Sequence, residues 1–236
     1  MKIVVGGASG FVGTEVLRQS LARPEITSVV ALSRRPITVP EGSDASKFKN
    51  LVLKDFGNYS EEDKKELAGA SGCIWTIGLV PNKLLGHSKA DARRICLDYT
   101  VSGIKAIHEA GPAKPFRFVY VSGAPISRDP NKWQPFMGDY FRLRGEVERA
   151  VIKYAADSNG EVEATVVKPS YIGPTHASVI KSIMNVFGTL HLAKTVGVDE
   201  IAATMLSQII DGIEKDPLEN EDLVRIGRKT LGEWKK

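Results

Sequence analysis

The apolar run Ile3-Val4-Val5 ends in Gly6-Gly7-Ala8-Ser9-Gly10-Phe11-Val12-Gly13, and from Phe11 to Ala22 apolar residues recur at helical spacing. Val12, Val16, Leu17 and Leu21 fall on one face, and Pro24 stands just past the end. A strand, a glycine turn and an amphipathic helix make a βα unit. Such a unit buries its apolar surfaces in a layered α/β fold. The glycines narrow the reading further. Gly7, Gly10 and Gly13 recur at every third position. Gly10 lets a pyrophosphate approach the backbone, and Gly13 lets the helix pack on the sheet. The helix N-terminus presents free N–H groups and a favourable dipole to an anion. The match is GxxGxxG; the dinucleotide pattern GxGxxG has glycine where this chain has Ala8.

The alternation continues along the chain. Short apolar runs predict strands at 26–33, 51–53, 73–77, 116–121 and 162–167. Helices are expected at 60–70, where Ser60 and Asp63 suit a capping box, and at 88–110, stopped by Gly111-Pro112. Two more are expected at 139–156 and 198–213, whereas Pro36, Pro40 and Gly42 argue for irregular chain over 34–50. Continuous apolar strands between amphipathic helices predict a doubly wound, Rossmann-like parallel sheet covered on both faces. One domain accounts for residues 1–236: a cofactor-binding core over 1–170, then a small substrate-side cap and C-terminal helices over 171–236. Such sheets bind ligands beyond the carboxyl ends of their strands. The residues after each strand are therefore the site candidates.

Composition excludes several classes. The 236 residues are 42% hydrophobic and 25% charged, the balance of a folded globular chain. The formal charge of +4 comes from interleaved signs, as in Glu61-Glu62-Asp63-Lys64-Lys65, so no basic stripe for nucleic acid is present. Cys73 and Cys96 cannot build a disulfide framework and fit a reducing, cytoplasmic setting. Met1-Lys2 leads directly into the first apolar run, so no secretory signal is expected. No run reaches the ~20 apolar residues of a membrane helix. His87, His108, His176 and His191 lack metal-ligand spacing.

Dinucleotide folds place an acid about 20 residues past the glycines, where it accepts a hydrogen bond from a free ribose 2′-hydroxyl. This chain has Ser33-Arg34-Arg35 there. A hydroxyl and two guanidiniums suit a 2′-phosphate, which arginine binds in bidentate fashion. The expected cofactor is NADP(H). Asp55 and Phe56, after the third strand, are expected to flank the adenine. Thr76, Ile77 and Gly78, after the fourth, are expected to line the nicotinamide ribose.

Ser122 closes the fifth strand, and Tyr140 and Arg144 stand four apart on the next helix, sharing a face. A cation beside a phenol lowers its pKa from ~10. Tyr140 is then the acid/base that gives a proton to a carbonyl oxygen as hydride reaches the carbon. Ser122 orients that oxygen, and Arg144 supplies charge and holds ribose.

Together with Arg144-Gly145-Glu146-Val147-Glu148 and Lys168-Pro169-Ser170-Tyr171-Ile172-Gly173, these residues resemble an atypical short-chain dehydrogenase/reductase. The nearest similarity is to the compact NADP-binding oxidoreductases of the Tat-interacting-protein type and their fungal mitochondrial relatives. The resemblance implies a Rossmann fold, bound NADPH and a Ser-Tyr-Lys triad, with Ser122 and Tyr140 in the serine and tyrosine positions. It also implies that Pro169, Ser170, Tyr171 and Ile172 pass beside the nicotinamide. The chain departs at 144, where the family has lysine. Arginine keeps the charge but offers no titrating ammonium, and its fork is bulkier. That departure bears on turnover rather than on cofactor binding. Three functions stand: an NADP(H)-dependent reductase or dehydrogenase, an NADPH-binding sensor without turnover, and an isomerase, epimerase or dehydratase on the same fold. Peripheral mitochondrial association follows from the resemblance alone.

Residues 79–87, 124–138 and 175–190 follow strands four to six and carry Leu79, Leu84, Leu85, Trp133, Phe136, Met137, Ile180, Met184 and Phe187. They suit a small apolar or aromatic substrate, or a buried contact such as that of a homodimer.

Overall fold

Each apolar run of the sequence becomes a strand of one layered sheet. The computed structural model of the chain describes residues 1–84, 86–133, 137–174 and 195–234. The candidates Leu85, Phe136, Ile180, Met184 and Phe187, with His176 and His191, lie outside the described residues. In chain order the strands are β1 (Lys2–Gly6), β2 (Ser28–Ser33), β3 (Phe48–Val52), β4 (Ala70–Trp75), β5 (Phe116–Val121), β6 (Val162–Lys168), β7 (Tyr171–Gly173), β8 (Thr195–Gly197) and β9 (Leu218–Glu219). The helices are α1 (Phe11–Ala22), α2 (Glu61–Leu67), α3 (Lys89–Arg93), α4 (Tyr99–Glu109), α5 (Gly138–Ala156), α6 (Val198–Ile210) and α7 (Asn220–Glu233). A seven-stranded sheet has the order β3-β2-β1-β4-β5-β6-β9, and β7 pairs with β8 in a second, small sheet. Every pairing in the large sheet is parallel. Strand order reverses between β1 and β4, which opens a crevice at their carboxyl ends.

Alternate residues of each strand serve opposite faces. Ile3, Val5, Val29, Ala31, Ile74, Val119 and Val167 share a core with Val16 and Leu17 of α1, Ile201 and Met205 of α6, and Leu223 of α7. Val4, Val30, Leu32, Cys73, Trp75, Phe118, Tyr120 and Val166 face Leu67 of α2, Ile104 of α4, and Val147 and Val151 of α5. Each fully buried aliphatic side chain contributes ~1.5–3 kcal/mol. Covering both faces is what the continuous apolar strands required. The doubly wound parallel sheet expected from the sequence is the one observed. The C-terminal strands and helices form a cap, and α6 and α7 also cover the sheet beside α1.

Among the differences from the periodicity reading, three stand out. β3 begins at Phe48, inside the stretch expected to be irregular, because it is the sheet edge and tolerates exposed Lys49. β4 ends at Trp75, which leaves Thr76 and Ile77 to the loop above it. The helix expected over 88–110 is split by a π turn at Arg94–Asp98. Such turns aim side chains that a regular helix would aim elsewhere. Here the Cys96 thiol comes within 3.4 Å of the Leu79 N–H. Among the described residues no helix is long and apolar enough to cross a membrane, and no cluster of metal ligands forms.

Candidate active site

The glycine turn closes β1 onto α1 with no room to spare. Gly7 has φ of +80°, a conformation that favours glycine, and a Cβ there would stand 2.5 Å from Thr76 Oγ1. A Cβ on Gly13 would stand 2.2 Å from the Gly7 carbonyl oxygen. The Gly10 N–H donates to Gly7 O at 2.9 Å, and the Thr76 hydroxyl donates to Gly6 O at 2.8 Å. Ala8 is buried and Val12 half-buried, while Ser9, Gly10 and Phe11 are exposed. No side chain caps α1, so its first N–H groups keep the donor capacity that every helix start has. This cradle fits a pyrophosphate.

At the end of β2, Ser33 is buried. Its hydroxyl donates to Arg35 O at 2.7 Å and accepts from Asn50 Nδ2 at 2.8 Å. Ser33 therefore holds the turn instead of offering its hydroxyl to a phosphate, as the sequence reading had it. Arg34 and Arg35 are exposed beyond it. Neither makes an ion pair among the described residues, so both guanidiniums are free to meet an anion. Asp55 is exposed, accepts from the Gly57 N–H at 3.0 Å and is hydrogen-bonded to Tyr99. The Phe56 ring is turned into the core and cannot stack on an adenine. It is buried with ring centroids 6.2 Å from Trp75 and 5.8 Å from Tyr99. Burying so large a ring outweighs stacking it in an open cleft.

Across the crevice, Tyr140, Arg144 and Glu148 form one stripe of α5 at successive four-residue steps. The Tyr140 hydroxyl donates to Leu79 O at 2.7 Å. Arg144 is 6% exposed. Its Nη2 donates to Val121 O at 2.8 Å, and its guanidinium carbon lies 5.3 Å from the Tyr120 ring centroid. The Tyr140 phenol and the Cys96 thiol lie within its electrostatic reach. A Cβ on Gly78 would stand 2.6 Å from Arg144 Nη1, so glycine there makes room for the longer side chain. Ile77 and Gly78 are half-buried at this edge of the crevice. Arg144 Nε is buried without a hydrogen-bond partner among the described residues. Burial pushes the Tyr140 phenol above its ordinary range, and the nearby Arg144 charge only partly opposes it. A cation acting alone would move it the opposite way, the direction the sequence predicts; burial reverses it.

The Ser122 hydroxyl donates to Glu148 Oε1 at 2.5 Å. Glu148 is 0% exposed and meets Arg128 Nε at 3.1 Å and Lys168 Nζ at 3.8 Å. Arg128 in turn clamps both Asp216 oxygens, at 2.5 and 2.8 Å, and Lys168 donates to Ile126 O at 2.6 Å. Glu148, Arg128 and Asp216 escaped the sequence reading. The available signal was the spacing of Glu148 from Tyr140 and Arg144 along one helix face. Beyond β6, Pro169 is buried and its carbonyl accepts from the Ala124 N–H at 2.9 Å. The Ser170 N–H donates to Asn220 Oδ1 at 3.0 Å; Tyr171 is exposed and Ile172 half-buried.

A cavity of about 640 Å³ opens beside Tyr140, with Leu84, His87, Ala92, Pro130 and Leu143 among its lining. Ion pairs of Lys89 with Asp139 and of Arg93 with Glu146 join α3 to α5 there. Of the exposed large apolar side chains among the described residues, Val52 ends β3, Val80 and Trp133 lie in the loops beyond β4 and β5, Phe11 opens α1 and Tyr171 opens β7.

No family model matches the chain. It is 34% identical over 122 residues to "Leucinostatins biosynthesis cluster protein T" of Purpureocillium lilacinum, covering 52% of this chain and 42% of that protein. It is 28% identical to "Protein FMP52, mitochondrial" of Candida albicans, covering 66% of this chain and 63% of that one. A protein of the same name from Coccidioides immitis is 24% identical over 78% of this chain and 72% of its own length. The chain thus spans less than two thirds of the first two relatives. Among solved structures, MoeE5 in complex with UDP-glucuronic acid and NAD superposes with a TM-score of 0.67 at 15% identity, covering 98% of this chain and 83% of MoeE5. The PhqB reductase domain of Penicillium fellutanum gives 0.67 at 16% identity, covering 94% and 67%. At such identities the likeness is one of fold: this chain has the doubly wound, Rossmann-like fold that MoeE5, the PhqB reductase domain, the dTDP-glucose 4,6-dehydratase DesIV and a UDP-galactose 4-epimerase also have.

Proposed function

We propose that this chain is an NADP(H)-dependent reductase or dehydrogenase for a small apolar or aromatic carbonyl or alcohol, of the atypical type its sequence resembles. One observation carries the reading. An uncapped, glycine-lined helix start stands beside two exposed arginines that make no ion pair among the described residues. Gly7 to Gly13 hold the pyrophosphate through backbone N–H groups, and Arg34 and Arg35 hold the 2′-phosphate. Thr76, Ile77 and Gly78 line the nicotinamide end from one side, and Pro169, Ser170, Tyr171 and Ile172 from the other. The cofactor, when bound, supplies or accepts the hydride. Tyr140 holds the transferable proton, Arg144 holds ribose and stabilises negative charge on the phenol, and Ser122 orients the reacting oxygen. The cavity beside Tyr140 takes the substrate's apolar body.

MoeE5 and the dTDP-glucose 4,6-dehydratase DesIV are solved with NAD; the Arg34–Arg35 pair is what argues for the phosphorylated form here. Parallel titrations with NADPH and NADH test this. NADPH is expected to bind about 100-fold tighter, the equivalent of one or two charge-assisted hydrogen bonds. Equal affinities would remove the role given to the arginines, and no binding of either would remove the function.

A second reading, an NADPH sensor without turnover, is favoured by a specific observation. Both candidate hydroxyls, Tyr140 and Ser122, are engaged with protein acceptors. Formation of NADP⁺ with any member of a carbonyl panel decides against it. The mitochondrial names of the two fungal relatives support peripheral association with that organelle; recovery of the chain only in the cytosolic fraction would exclude it.

A further inference from the structure

We infer that Glu148 fixes the hydrogen-bond polarity of Ser122, so that the site binds the hydroxyl-bearing member of an alcohol–carbonyl pair in preference to the carbonyl. The inference rests on the proposed placing of substrate against Ser122 and Tyr140.

A serine hydroxyl has one proton and two lone pairs, and a phenol likewise has one proton to give. Ser122 spends its proton on Glu148 Oε1 at 2.5 Å. The receiving group is a buried carboxylate flanked by Arg128 and Lys168, and a carboxylate is acceptor only. It cannot turn away. Arg128 is pinned by Asp216, and Lys168 is pinned by the Ile126 carbonyl. Tyr140 spends its proton on Leu79 O at 2.7 Å. Neither hydroxyl therefore has a proton left for a ligand, and what each can still offer is a lone pair. A carbonyl oxygen is also an acceptor. Set against Ser122 it leaves two acceptors facing each other out of water, which costs more than a bond merely absent. An alcohol donates to Ser122 without any rearrangement. Glu148 touches no substrate in this account; it is a positioning residue acting through Ser122.

The experiment is a titration of the full chain at saturating NADP⁺ with two probes, 2-phenylpropan-2-ol and acetophenone. The tertiary alcohol has no carbinol hydrogen, and acetophenone meets no hydride donor, so neither reacts. Wild type is expected to bind the alcohol about tenfold tighter than the ketone, the worth of one well-placed hydrogen bond. In Glu148→Gln the amide N–H donates to Ser122 Oγ and sends the serine proton into the crevice. The preference is expected to vanish or invert. In Ser122→Ala, which leaves the charges of the network in place, it is expected to vanish. That variant carries the test if Glu148→Gln does not fold. An infrared difference spectrum of wild type against Glu148→Gln is expected to contain an ionised carboxylate band. A wild-type preference for the ketone, no preference, binding of neither probe, a ratio unmoved by both variants, or a protonated carboxyl band would each overturn the inference. Failure of NADP⁺ to bind, seen before any probe is added, would instead remove the cofactor reading beneath it.

Discussion

The two sides of the crevice solve opposite problems. On the β1–β2 side the donors are left open: α1 starts without a side-chain cap, and Arg34 and Arg35 extend from the end of β2 without an ion pair among the described residues. On the β4–β5 side the polar groups are tied inward. Tyr140 is bonded to Leu79 O, Ser122 to Glu148, and Arg144 to Val121 O. The difference follows from what each side can lose to water. Exposed donors are solvated until a ligand replaces that water, so leaving them unpaired costs little. Buried hydroxyls and guanidiniums must find partners in the protein or forfeit ~1–3 kcal/mol each. An open half can bind on contact. A closed half can accept a hydrogen bond as it stands but must break an internal bond before it can give a proton to a ligand.

The contrast can be broken at several places. Tyr140→Phe should lower kcat by roughly 10²–10⁴, the usual worth of a positioned acid, while the NADPH Kd changes little. Steady-state kinetics beside a cofactor titration measures both, and an unchanged kcat removes Tyr140 from the mechanism. Because burial raises the phenol's pKa, the acid form persists throughout neutral pH. The reduction rate should stay flat there and fall only as pH rises through a value above the ordinary ~10. Replacing both Arg34 and Arg35 with alanine should weaken NADPH about 100-fold and NADH by less than about threefold. Comparable losses for both nucleotides would show that the open half does not distinguish them.

Smaller effects probe the closed half. Gly78→Ala drives a methyl toward Arg144 Nη1, where the Cβ would stand at 2.6 Å. It should cost ~1–3 kcal/mol by overpacking, read as a lowered urea midpoint. Gly78→Ala combined with Arg144→Lys should recover part of that loss, since lysine lacks the fork. Alkaline destabilisation probes the same interior. Burial raises the pKa of Tyr59, Cys73 and Tyr120. A raised folded pKa gives stability that is complete below the unfolded value and lost as pH rises toward the folded one. Thermal midpoints should therefore hold to about pH 8 and decline beyond it, first past the free thiol value of ~8.5 and then past the free phenol value of ~10. A flat profile to pH 11 would show that these groups do not titrate differently on unfolding.

Much of the open half was legible along the chain. Gly7, Gly10 and Gly13 are neighbours in sequence, as are Arg34 and Arg35, and each group follows a strand that apolar periodicity marks. Ser33 shows the limit of that reading. Its position at the end of β2 follows from the sequence, but its engagement with Asn50 required β3 to pair alongside. Phe56 likewise stood at the expected place with its ring turned the other way, because Trp75 and Tyr99 offered it a dry surface.

From its residues alone the chain determined a parallel sheet, a glycine turn beneath a helix start, a paired arginine after the second strand, and a helix carrying Tyr140 and Arg144 on one face. These are consequences of local spacing, because strand and helix periods fix which side chains share a face. Only the tertiary structure decided that Ser122 gives its proton to Glu148, that Arg128, braced by Asp216, holds that carboxylate, and that Gly78 makes room for Arg144. Those contacts join residues between 20 and 88 positions apart, and between residues so far apart a hydrogen bond is set by how the layers pack, which no local pattern records.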